Sequence, residues 1–188
     1  MPLPPANSGR KLKHTRDVHI EVYARDDGLW DIDARLTDTK TYDIGLANGS
    51  IPAGRPVHDI WLRLTVDLQS TIVDIEVFFD FVPFKGFCDT IGPAYKKMIG
   101  LNLLSGFRQG MKERLSGVEG CIHLNELAMI LPTVAIQSFS FGDMENRADP
   151  SGEKQDQKPF ELDNCHALRT DGAAVAIYYP RWAVKPNI

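Results

Sequence analysis

A chain of 188 residues, 43% of them hydrophobic, is long enough to bury a sizeable core and suits one compact domain spanning residues 1–188. Its formal charge of -4 offers no basic surface for gripping phosphate backbones, which sets nucleic-acid binding aside. No apolar run approaches the ~20 residues needed to cross a bilayer, and the start MPLPPANSG lacks a signal-peptide core, so the expectation is a cytoplasmic protein with no membrane partner.

Residues 1–12, rich in proline and then in Arg10 and Lys11, read as a flexible arm. Structure is expected from His14. Val18, Ile20 and Val22 alternate with His19, Glu21 and Tyr23; Asp26-Asp27-Gly28 makes a turn; Trp30, Ile32, Ala34 and Leu36 then alternate with Asp31, Asp33 and Arg35, giving a first hairpin. Residues 37–56, with NGS and PAGRP, read as a long loop. A central hairpin follows. In its first strand His58, Ile60, Leu62, Leu64 and Val66 share one face and Asp59, Trp61, Arg63 and Thr65 the other; after a break at residues 67–70, Val73, Ile75, Val77, Phe79 and Phe81 share a face in the second strand.

Beyond Phe81 the pattern turns helical. Residues 83–88 form an aromatic loop and 90–98 a short helix around Pro93; a second helix carries Phe107, Met111 and Leu115 and closes at Gly117. A third helix, about Cys121 to Phe139, buries Leu124, Leu127, Ala128, Leu131, Val134 and Ala135, with Pro132 as a kink or break. The polar stretch 142–158 reads as a mobile loop, and Ala173 to Tyr178 as an added edge strand. The expected fold is therefore α+β: an antiparallel sheet of two hairpins plus a C-terminal edge strand, with three helices packed on one face.

The densest group of reactive side chains is Gly120-Cys121-Ile122-His123-Leu124-Asn125-Glu126 at the start of the third helix. His123 and Glu126, three apart, share a helical face, and a thiol in the first turn gains from the unpaired amides there. The plainer reading is a buried cysteine beside a pair that caps the helix. On the central strand Asp59, Trp61 and Arg63 share a face and offer a wall and an anchor for an aromatic or carboxylated ligand, or simply a surface ion pair. His58 and Asp59 point to opposite faces, so they cannot enter one cleft together.

Three scattered cysteines are no disulfide framework. Cys88, Cys121 with His123, and Cys165 with His166 could meet around zinc, but without the spaced pairs that make zinc motifs specific, and each lies beside apolar neighbours as packed thiols do; the expectation is no metal. There is no phosphate loop, GxSxG elbow, HExxH or dinucleotide fingerprint, so no organic cofactor is expected either.

These residues support a cofactor-independent lyase that binds a small aromatic substrate between the sheet and the Cys121 helix and acts by acid/base elimination or retro-aldol release of a small aldehyde. His123 and Glu126 are the base candidates, Tyr95 or Lys96 the acid, and Asp59, Trp61, Arg63 and Phe87 the substrate contacts. The alternative is a non-catalytic ligand-binding or assembly module; a homo-oligomer is compatible with either.

The blocks DGLWDIDARLTDTKTYD at 27–43, VHDIWLRLT at 57–65, GCIHLNEL at 120–127 and CHALRTDGAAVAIYYPRW at 165–182 resemble a bacterial family catalogued as a domain of unknown function, number twenty-eight eighty-nine. The resemblance runs from His14 to Trp182. It implies a one-domain cytoplasmic proteobacterial protein that travels with aromatic-compound degradation, and hence lignin-derived or hydroxycinnamate-like compounds as the substrates to try.

Overall fold

The computed structural model describes residues 3–47, 49–142, 158–159 and 161–184. They fall into two compact units, Met1–Ala135 and Ile136–Ile188. The expected loop at 142–158 lies, for residues 143–157, outside the described residues, and residues 3–13 carry neither helix nor strand.

The first unit is built on an antiparallel sheet of four strands in the order β1-β2-β5-β6: β1 (His14–Ala24), β2 (Trp30–Lys40), β5 (Pro56–Val66) and β6 (Ile72–Phe81). Pairing of β2 with β5 fuses the two expected hairpins into one sheet. The turn into β2 places Gly28 at φ +82°, a conformation that costs glycine nothing. The segment 37–56, expected as a loop, instead continues β2 to Lys40 and folds β3 (Ile44–Leu46) against β4 (Gly49–Ile51) as a separate two-stranded sheet.

Register makes one face of the sheet apolar. Val18, Leu36, Ile60 and Phe79 lie side by side across the strands, as do Ile20, Ala34, Leu62 and Val77, and Val22, Ile32, Leu64 and Ile75. Its central members, Ile32, Ala34, Leu36, Ile60, Leu62, Leu64 and Ile75, are buried. The simple alternation expected along β6 fails at both ends, because register shifts fall at Thr65/Val66 and Asp59/Ile60. An extra residue in one strand transfers the side chains beyond it to the other face. Ile72 is thereby buried and Val73 exposed, while Phe81 pairs with Asp59 and is also exposed.

After β6 the chain makes a 3-10 segment, Cys88–Met98, then α1 (Phe107–Leu115) and α2, which runs Ile122–Gly142 and contains Pro132. Phe107, Met111 and Leu115 of α1, and Leu124, Leu127, Ala128, Leu131 and Ala135 of α2, are buried as their spacing implies; Val134 is only half-buried.

In the second unit, Ala173–Tyr178 is a helix, α3, and not an edge strand. Three alanines in six residues favour helix, and a run this short shows no periodicity that separates the two states. The expectation of a strand there is thus corrected, and the short helix expected at 90–98 is the 3-10 segment Cys88–Met98, while the α+β class with an antiparallel sheet stands. Asp163, at φ 64°, ties this unit's turns together by accepting hydrogen bonds from the Thr170 amide at 2.8 Å and from Lys158.

Candidate functional site

The even-numbered face of β2 is Ile32, Ala34, Leu36 and then Asp38, so the apolar row ends in a carboxylate whose side chain is 5% exposed. A charge in that position must be paired. Register supplies the partners: Arg16 of β1 and His58 of β5 sit directly across from Asp38 on either side. Arg16 donates from Nε to Oδ1 and from Nη2 to Oδ2, both at 2.8 Å, in a planar fork. His14 Nε2 lies 2.9 Å from Oδ1 and His58 Nδ1 3.2 Å from Oδ2.

The start of α2 completes the group. His123 Nε2 approaches Asp38 Oδ2 to 3.9 Å, too long for a hydrogen bond. Its ring stacks on that of His58, centroids 3.8 Å apart and planes tilted by 34°. Cys121 Sγ lies 3.8 Å from His123 Nδ1. Glu126, one turn further along the same helical face, accepts from Arg16 Nη1 at 2.6 Å. One carboxylate on β2 thus gathers three histidines and an arginine from two neighbouring strands and a helix.

Electrostatics follow from this packing. Burial resists ionisation of Asp38, but hydrogen bonds from Arg16 and His14 and the Arg16 charge overcome it, and its carboxyl is held well below the usual carboxylate range. The same contacts raise Arg16 further above its ordinary value. Burial lowers His58, and the neighbouring His123 lowers it further, against the opposing pull of Asp38. With its proton affinity lowered, His58 is a neutral imidazole near pH 7. With Nδ1–H donated to Asp38, its Nε2 carries the free lone pair. For Cys121, burial pushes the thiol up, but the His123 contact and the amides of Leu124 and His123 pull harder, and the net shift is downward.

The expected acids lie elsewhere. Tyr95 is fully buried. Its hydroxyl accepts from the Cys121 amide at 3.0 Å and faces Asn125 Oδ1 at 2.7 Å and the Cys121 carbonyl at 3.0 Å, while Asn125 Nδ2 donates to the Leu115 carbonyl. Burial raises its pKa strongly. It is a brace under the first turn of α2, not a proton donor to solvent. Gly120 is fixed by the same packing, since a Cβ there would meet the Leu115 carbonyl at 2.4 Å. Lys96 is exposed and donates to Asp74 at 2.6 Å.

The expected substrate contacts occupy the opposite face of the sheet from Asp38 and His58. Asp59 is buried and held by an Arg35 fork at 2.8 and 2.7 Å. Arg35 in turn stacks on Trp61, 4.7 Å from the ring centre, and Trp61 Nε1 donates to Asp80 at 2.8 Å. Arg63 is forked onto Asp33 at 2.6 and 2.7 Å. A shallow hollow of about 540 Å³ lies over Trp61, Arg63 and Phe78. Phe87 is exposed on the loop after β6. His123 and Glu126 are thus brought to one site, while Asp59, Trp61 and Arg63 form a separate surface whose charged groups are already paired.

Cys88 and Cys121 are half-buried free thiols, and Cys165 is exposed in the second unit. Among the described residues, the group of side chains close enough to share one ion is Asp38, His58 and His123, and no cysteine belongs to it.

Residues 14–137 match the model of a protein family of unknown function, DUF2889, and the chain belongs to that family. The matched stretch includes every member of the Asp38 cluster and excludes the block at 165–182. No curated protein and no solved structure matches the chain. Among the described residues no helix is long and apolar enough to cross a membrane.

Proposed function

We propose that this DUF2889 protein is a lyase that moves protons through the paired imidazoles of His58 and His123 and acts on a small aromatic compound, lignin-derived or hydroxycinnamate-like, without an organic cofactor. The observation that carries the reading is the His58–His123 stack on a buried, ionised Asp38. Enzymes that run acid and base chemistry together hold two titratable groups in environments that separate their proton affinities, and here burial and an adjacent imidazole do so for His58.

In the proposed step His58 Nε2 removes the proton from a substrate hydroxyl. The resulting alkoxide collapses to an aldehyde as the adjacent carbon–carbon bond breaks, and the electron pair passes onto a carbon conjugated with the aromatic ring. His123 returns a proton to that carbon, so protons and electrons balance. Asp38 keeps His58 in the required tautomer, Arg16 fixes Asp38, and Glu126 fixes the third arm of Arg16. Apolar side chains flank the polar row, which suits an aromatic ring: Val18 follows Arg16 on the same face of β1, and Ile122 precedes His123; both are exposed. A cytoplasmic bacterial setting in aromatic catabolism belongs to the same proposal, as does the absence of nucleic-acid and membrane partners.

The second reading is a binding or assembly module without turnover. It is favoured by the closure of the Asp38 network itself, which ties together β1, β2, β5 and α2. The two separate on a panel of lignin-derived dimers and hydroxycinnamates followed by mass spectrometry. The lyase reading predicts release of a small aldehyde by the wild type and its loss in His58→Gln and in His123→Gln with the fold retained. Compounds that remain unchanged over hours while still binding support the module.

A further inference from the structure

We infer that Asp38, His58 and His123 also form a binding site for a divalent transition-metal ion of the zinc class. Each side chain offers one ligand atom, and the three atoms lie within 4.8 Å of one another. Two imidazole nitrogens and a carboxylate oxygen are a donor set that zinc, cobalt and nickel accept readily. Around a tetrahedral zinc with bonds of about 2.0–2.1 Å, neighbouring ligand atoms stand roughly 3.3–3.4 Å apart. His58 Nδ1 and Asp38 Oδ2, 3.2 Å apart, already meet that spacing. His123 Nε2 and the same oxygen, at 3.9 Å, need to close by about half an ångström. That 3.9 Å gap is too wide for a direct hydrogen bond, and a bridging cation fills it. The groups are already drawn out of water, with side-chain exposures of 5%, 17% and 23% for Asp38, His58 and His123.

The surroundings set the character of the ion. Arg16 holds both oxygens of Asp38 and places a positive charge beside any cation, so the ion is bound more weakly and more reversibly than where the carboxylate is free. Cys121 lies against Nδ1 of His123, on the side of the ring away from Asp38, as an outer neighbour rather than a ligand. An ion held here occupies a nitrogen of each imidazole. For the proton-transfer reading of the same cluster, on which this consequence alone rests, zinc is accordingly a reversible inhibitor and not a resident cofactor.

The test uses the full-length chain stripped of metal. Zinc binding is measured by competition with a chromophoric chelator, and cobalt binding by visible absorption. The expected result is one ion per chain and a tetrahedral cobalt spectrum without a thiolate charge-transfer band. Affinity should fall at least tenfold in His58→Gln and in His123→Gln and stay unchanged in a Cys88→Ser/Cys165→Ser variant, with circular dichroism confirming the fold of each. No binding to the wild type, binding unaltered by both histidine changes, or a thiolate band would overturn the inference. Binding is read without substrate, so it succeeds or fails independently of whether the chain is a lyase.

Discussion

Replacing Asp38 by alanine removes the one anion that faces His14, Arg16, His58 and His123 together, and the cost can be worked from the contacts. Asp38 accepts two hydrogen bonds from Arg16 at 2.8 Å and one from His14 at 2.9 Å, with His58 at 3.2 Å. Breaking a buried ion pair by deleting one partner costs about 3–5 kcal/mol. Arg16, however, is 32% exposed and keeps its bond to Glu126, so part of its charge returns to water. About 2–3 kcal/mol is the expected loss after that discount. With a urea dependence of about 2 kcal/mol per molar, the unfolding midpoint should fall by about 1–1.5 M. Circular dichroism and Trp fluorescence should report the same transition. A midpoint that moves by less than about 0.3 M would show that the cluster is worth no more than a surface pair, and the account of a buried, obligatory carboxylate would fail.

Tyr95→Phe should cost about 1–3 kcal/mol in the same assay, because the Cys121 amide and Asn125 Oδ1 lose a buried partner; a loss under about 0.5 kcal/mol would mean that Tyr95 does not brace α2. Burial holds His58 below its ordinary value of about 6.5, so its contribution to stability is complete above that pH and is lost as pH falls through it toward the folded value. The urea midpoint should therefore decline between about pH 7 and pH 5, less steeply in His58→Gln, and an equal slope in the two proteins would remove His58 as the cause. Cys121 should alkylate with a pH midpoint below the value of about 8.5 of an ordinary thiol when measured in a Cys88→Ser/Cys165→Ser chain, and His123→Ala should raise it; a midpoint unmoved by His123→Ala would contradict the pairing.

Much of the sheet and both longer helices follow from local patterns, since alternation in β2 and β5 and three- and four-residue spacing in α1 and α2 report the buried faces, and the same alternation in β1 marks the half-buried edge of the sheet's apolar face. An added residue leaves no mark on such a pattern. The two register shifts beside β6 turn Val73 and Phe81 outward against their alternation, and the six residues of α3 are too few to declare a period. The site divides the same way. His123 and Glu126 are visible as one helical face, but their partners are supplied by chain segments far apart in sequence, Arg16 and Asp38 being 22 residues apart and Arg16 and Glu126 110. One signal was present. Asp38 continues the series Ile32, Ala34, Leu36 at spacing two, and a carboxylate in line with a buried row demands a cation or hydrogen-bond donors from the neighbouring strands. His58 occupies one of those positions, and its opposition to Asp59 leaves it free to face Asp38 instead. The Trp61–Arg63 surface shows the converse: residue types that suit a ligand wall are satisfied by Asp33, Arg35 and Asp80 of the sheet itself.

The most direct test of the proton-transfer claim is turnover of the aromatic panel in deuterated water, with product mass read for the wild type, His58→Gln, His123→Gln and Arg63→Ala. The account predicts aldehyde release by the wild type with one deuterium placed on the carbon that loses it, a loss of at least a hundredfold in each histidine variant, on the order of what a positioned acid or base contributes, and near-normal rates in Arg63→Ala, whose side chain lies on the other face of the sheet. A wild type inert toward every compound, or folded histidine variants that turn over as fast as it does, would contradict the account.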